Sequence, residues 1–147
     1  MIIKKLFYVL ACFTLFSQSV KADVDLDDVN SIDAIIGAMY SPISGSKDEE
    51  RDWQRFIDLF DEDARLIFGS KDSASGFTSR TPMQYVEMAK VSFAANNFYE
   101  MEISRKTHRF GNIAQVFTTY AAKRNLNDPM PFLRGINIRS ISRTQHQ

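Results

Sequence analysis

Two long runs of alternating polar and apolar positions dominate the second half of the chain, Phe98 to Phe110 and Ile113 to Arg124, with Gly111 and Asn112 between them. Alternation with period two marks a half-buried strand, and a Gly-Asn pair between two such runs marks a tight turn, so the stretch predicts a long β-hairpin. With Gly111 and Asn112 as loop residues, Phe110 faces Ile113, Thr107 faces Val116, Ile103 faces Tyr120 and Glu100 faces Lys123. One side then collects Tyr99, Met101, Ile103, Ala114, Val116, Tyr120 and Ala122 and calls for a cover. The other carries Glu100, Glu102, Lys106, His108, Gln115 and Lys123 and reads as solvated.

The first half changes period. Ile32, Ile35, Ile36, Met39 and Tyr40 follow three-and-four spacing behind Asn30 or Ser31 as cap, and Ser41-Pro42 ends that helix. Ser46 and Glu49 have capping-box spacing, which predicts a second helix reaching about Phe60 with Trp53, Phe56, Ile57 and Phe60 on its apolar face. Ala64 to Phe68 reads as a short strand and Gly69 to Ser79 as a loop. Thr81-Pro82-Met83-Gln84 opens a third helix to about Ala95, burying Tyr85, Met88 or Ala89, and Phe93. Phe132 to Ile138 supplies another strand, and residues 139–147 read as an irregular polar tail. The sum is an α+β domain over residues 23–138, with three helices on one face of a curved antiparallel sheet.

Charge adds an asymmetry. The chain of 147 residues carries eighteen basic and eighteen acidic side chains, which argues against nucleic acid as a partner. Acids nonetheless dominate between Asp23 and Asp63, and bases beyond Arg65, as expected of acidic helices laid on a basic sheet. Met1 to Lys5 is cationic, Leu6 to Phe16 apolar, and Val20-Lys21-Ala22 small enough for cleavage, so residues 1–22 read as an export signal for a periplasmic or secreted protein. The apolar run falls short of the roughly 20 residues a membrane span requires, so no stable membrane insertion is expected. Val9-Leu10-Ala11-Cys12 offers the alternative of a lipid-modified terminus at the only cysteine. Asp61, Glu62 and Asp63 lack the spacing of a calcium loop, and no histidine pair is placed to ligate a metal.

The helix D-W-Q-R-F-I-D-L-F followed by DEDARLIF, the helix TPMQYVEMAK, the strand pair YEMEISRKTHRFGNIAQVFTTY and the segment PFLRGIN together resemble the nuclear transport factor 2-like superfamily, in its exported SnoaL-like branch. The resemblance covers about Val29 to Asn137. It implies a cone-like sheet, a pocket inside the cone, no cofactor, and a further closing strand that the residues after Asn137 do not supply. It spans both ligand carriers and cofactor-free isomerases, dehydratases and cyclases.

Candidates for the pocket come from inward positions: Arg105, Thr118 and Tyr120 on the hairpin, and Tyr40, Trp53 and Tyr85 on the helical wall. Arg105 on a covered face requires a carboxylate, from the acidic helical half or from an anionic ligand. Tyr120 could donate a proton to a developing enolate, and no catalytic base is assigned. The expected function is a non-catalytic exported domain holding a small amphipathic or anionic ligand, or a protein partner. The alternative is an isomerase, dehydratase or cyclase in the same pocket. An unpaired sheet edge further predicts a homodimer through the sheet.

Overall fold

The structure, a computed structural model, describes residues 24–69 and 73–143; the expected export signal, its cleavage after Ala22 and the Cys12 alternative lie outside them. The order is α1 (Leu26–Val29), α2 (Ile32–Tyr40), α3 (Trp53–Asp58), β1 (Leu66–Gly69), β2 (Phe77–Arg80), α4 (Pro82–Ala95), β3 (Tyr99–Phe110), β4 (Ile113–Lys123) and β5 (Leu133–Ser142). The class is α+β. Strands β3, β4 and β5 form one antiparallel sheet in that order, and β1 and β2 form a separate hairpin.

The helix starts follow their caps. The Ser31 hydroxyl accepts from the Ala34 amide at 3.0 Å and opens α2. Thr81 and Gln84 exchange bonds of 3.2 and 3.0 Å behind Pro82, so α4 begins with a complete capping box. Its buried residues are Pro82, Val86, Ala89 and Phe93, while Met88 is exposed. The helix expected from Ser46 does not start there. Glu49 does accept from the Ser46 amide at 3.1 Å. The neighbouring groups, however, are committed elsewhere: Lys47 N donates to Asn97 at 2.9 Å, and the buried Arg51 guanidinium donates to the carbonyls of Ile43 and Gly45. Side-chain bonds that claim loop amides and carbonyls compete with helix, so α3 waits for Asp52, whose carboxylate accepts from the Arg55 amide at 3.0 Å. Part of the expected 69–79 loop is strand, since Phe77–Arg80 pairs antiparallel with Leu66–Gly69.

The hairpin turn stands as read, with Gly111 at φ +54° and Phe110 opposite Ile113. From Phe110 back to Ser104 the register is the expected one, ending with Ser104 opposite Thr119. There it shifts. Glu102, not Ile103, is opposite Tyr120, and Glu100 is opposite Ala122. Ile103 is therefore an extra residue, a β-bulge, and every side chain before it changes face.

The tail reading also needs correction in its described part. Arg139–Ser142 continue β5, with Arg139 opposite Val116 and Ser142 opposite Ile113. Ile141 reaches the apolar cluster of Ile36, Tyr40, Ala114 and Val116 beneath α2. A second cluster, Ile43, Phe56, Val86, Ala89, Phe93, Phe98 and Ala122, joins α3 and α4 to the other end of the sheet. A chain stopped after Ile138 loses both the Arg139–Ser142 ladder and Ile141. Its urea midpoint should fall by the equivalent of about 2–4 kcal/mol, the usual range for losing a core isoleucine and its pairing. An unchanged midpoint would make those residues dispensable.

Candidate functional site

Helix α2 crosses the sheet so that Tyr40, in its last turn, reaches the polar centre of an otherwise apolar face. The Tyr40 hydroxyl lies 2.9 Å from Thr118 Oγ1, which is fully buried on β4. Arg139 on β5 donates to the same Thr118 oxygen at 2.5 Å and stacks its guanidinium over the Tyr40 ring, 5.0 Å from the centroid. Asn137, also on β5, donates to Tyr40 Oη at 3.4 Å and to Glu100 Oε1 at 3.5 Å. Tyr120 lies across β5 at Gly135: a Cβ there would meet the phenol oxygen at 2.6 Å and ring carbons at 2.7 Å. Only glycine admits that ring position.

The bulge at Ile103 places Glu100 and Glu102 on this covered face, correcting their expected exposure, and turns Met101 and Ile103 outward. Glu102 receives a two-pronged contact from Arg105, Nε to Oε1 at 2.7 Å and Nη2 to Oε2 at 2.6 Å. Arg105 Nη1 also reaches Asp33 on α2 at 2.5 Å. The Asp33 side chain is 93% exposed and that of Glu102 only 23%, so water screens the first contact and Glu102 is the principal partner. An anionic ligand is therefore not required to neutralise Arg105.

Glu100 is held differently. Its main chain is fixed by Ser44: the amide donates to Ser44 Oγ at 2.9 Å, and that hydroxyl donates to the Glu100 carbonyl at 3.0 Å. Its carboxylate forms no ion pair among the described residues. Burial pushes the Glu100 carboxyl up to about 7, and the Arg139 charge and Asn137 amide offset only part of that rise. Burial likewise raises the Tyr120 phenol, and the negative charge of Glu100 adds to the rise. Tyr85 is raised by burial first and by Glu100 and Tyr120 after that.

A cleft of about 340 Å³ opens between α2 and β3, lined among others by Ile36, Gly37, Tyr40, Ser44, Glu100 and Arg105. A glycine inside a helix costs about 1 kcal/mol against alanine. A Cβ on Gly37 would meet nothing within 4 Å, so packing does not explain it.

Of the six residues expected in a pocket, Tyr40, Arg105, Thr118 and Tyr120 belong to this neighbourhood. Trp53 does not. It stacks on Phe93 at 6.0 Å in the other apolar cluster, because α3 packs on α4 rather than over the polar centre. Tyr85 packs its ring between Phe56 and Phe68, at 5.4 and 5.8 Å, and only its phenol is within the electrostatic reach of Glu100. Sequence reasoning missed Glu100, Asn137 and Arg139. Arg139 stands on the alternate-residue pattern that begins at Gly135, a signal that its polar surroundings hid. No side-chain pattern announces the bulge that turns Glu100. Among the described residues no group of three or more His, Cys, Asp or Glu could hold a metal ion.

No known family model matches the chain, and no curated protein or solved structure is significantly similar to it.

The Glu100 shift has a definite sign. Its carboxyl binds a proton more tightly folded, at about 7, than unfolded, near 4.5, so stability is fully present below about 4.5 and declines as pH rises through 7. Asp28, lowered chiefly by its bond from Arg55, acts in the opposite direction and only below its ordinary value of 3.8. The unfolding free energy should thus fall between pH 5 and pH 8 by on the order of 2 kcal/mol. Glu100→Gln should flatten that slope in denaturant titrations at the two pH values. An unchanged slope would place the carboxyl in water.

Proposed function

We propose that this chain is an exported domain of the nuclear transport factor 2-like type that holds a small amphipathic ligand in the cleft between α2 and β3. The observation that carries the reading is the cleft itself, apolar at Ile36 and Gly37 and polar at Glu100 and Tyr40. Such a lining suits a ligand with one polar end and one apolar end. Export rests on the signal-like sequence of residues 1–22. No helix among the described residues is long and apolar enough to cross a membrane. The outer sheet face, with Ile103, Phe117, Ile136 and Ile138 exposed across three strands, supports pairing of two copies through the sheet.

Nuclear magnetic resonance titration with 1-hexanol tests the ligand reading. Amide shifts should concentrate at Gly37, Ser44 and Glu102 and saturate together. Shifts confined to Phe117, Ile136 and Ile138 would move binding to the outer face and overturn it.

A second reading, acid–base catalysis without a cofactor, is favoured by the carboxyl of Glu100, held near 7 beside the phenols of Tyr40 and Tyr120. A base of that strength is half ionised at neutral pH, where proton abstraction from carbon next to a carbonyl is most efficient. The chain should then exchange the α-protons of small ketones for deuterium in heavy water. Glu100→Gln should lower the rate by roughly 10²-fold or more. Exchange equal to buffer alone would eliminate this reading and leave the first intact.

A further inference from the structure

Three features of the cleft specify more than amphipathic character. The first is Gly37, which lines it from the middle of α2 with open space where a side chain would stand. The second is the charge of the lining: Asp33, Glu100 and Glu102 against the single cation Arg105. The third is how those charges are paired. Arg105 spends Nε and Nη2 on Glu102 and Nη1 on Asp33, which leaves Glu100 as the lining charge without an ion pair among the described residues. Arg139 is not part of the lining. Its Nη1 is directed to Thr118 and Tyr40, and its guanidinium stacks on the Tyr40 ring.

We propose that the cleft takes a small primary ammonium bearing a short apolar chain, with the ammonium against Glu100 and the chain over Gly37 beside Ile36. The inference rests on the ligand-holding reading and narrows it. A carboxylate entering the same space meets three carboxylates and gains Arg105 only by displacing Glu102. A neutral alcohol gains the apolar contact alone. An ammonium gains both the apolar contact and a counter-charge for the carboxylate that lacks one. The groups facing Glu100 are Tyr40 from α2, Tyr85 from α4, Tyr120 from β4, and Asn137 and Arg139 from β5. Arg139 is the one cation among them, and it stands beyond ion-pair distance.

The test compares n-hexylamine, 1-hexanol and hexanoate against the full chain by nuclear magnetic resonance titration at pH 8 and low salt. Hexylamine should bind roughly five- to tenfold more tightly than hexanol, the increment of one partly screened ion pair, and hexanoate most weakly. Glu100→Gln should bring hexylamine to the level of hexanol. Gly37→Leu should abolish binding of all three while the thermal midpoint holds or rises. If that variant unfolds early, Gly37→Ala, expected to stabilise the helix and weaken all three probes, takes its place. Hexanol or hexanoate matching hexylamine, with binding still sensitive to position 37, would overturn the ammonium and spare the ligand-holding reading. Absence of any binding sensitive to position 37 would overturn both.

Discussion

One residue of register at Ile103 decides the chemistry of this sheet. In a strand, successive side chains point to opposite faces, so one unpaired residue reverses every position beyond it. The side of β3 beneath α2 would otherwise present Met101 and Ile103 to the helices and leave Glu100 and Glu102 in water. With the bulge the carboxylates lie inside and the apolar pair outside. Moving a carboxylate out of water is unfavourable unless a cation or a proton compensates it. The two glutamates take the two solutions: Glu102 is matched by Arg105, and Glu100 is shifted toward its protonated form.

The bulge would be loose without something along the free edge of β3, and the loop from Ile43 to Arg51 supplies it. Arg51 is buried, and its guanidinium holds the carbonyls of Ile43 and Gly45 at 3.1 and 2.8 Å. Between those two anchored residues lies Ser44, whose hydroxyl occupies both backbone groups of Glu100. Gly45 and Phe98 exchange amide–carbonyl bonds of 2.7 and 3.0 Å one step further along. A buried cation in the loop thereby fixes the backbone from which the buried carboxyl projects. Its positive charge is met by carbonyl oxygens, by the face of Phe93, 5.0 Å away, and at longer range by the Glu49 carboxylate.

Local signals were legible and long-range ones were not. The Thr81–Gln84 cap, the Gly111 turn, the three-and-four face of α2 and the alternation of β4 all depend on neighbours in sequence, and each stands as read. The Ser46–Glu49 pair shows the limit. Its spacing is that of a helix start, yet Arg51 and Asn97 claim the surrounding backbone, and Asn97 comes from the distant start of the hairpin. The site divides in the same way. Tyr40, Thr118 and Tyr120 follow from periodicity alone. Glu100 requires the bulge, and Arg139 requires knowing that a polar segment pairs with Ile113–Val116, where Ile141 and the Tyr40 ring repay its desolvation.

Glu100 also sets what the polar centre can do with a ligand. A carboxyl near 7 gives up its proton when a cation arrives, because the added positive charge favours the ionised form, so the uptake of an ammonium and the release of a proton are coupled. The phenols around it keep their protons. Tyr120 and Tyr85 are both raised, in part by Glu100, and remain proton donors throughout the range in which Glu100 titrates. The centre therefore holds one group that changes charge near neutrality among others that keep theirs. The proposed binding and the alternative catalysis would draw on the same arrangement. They differ only in whether the proton Glu100 exchanges comes from water or from the carbon of a bound molecule.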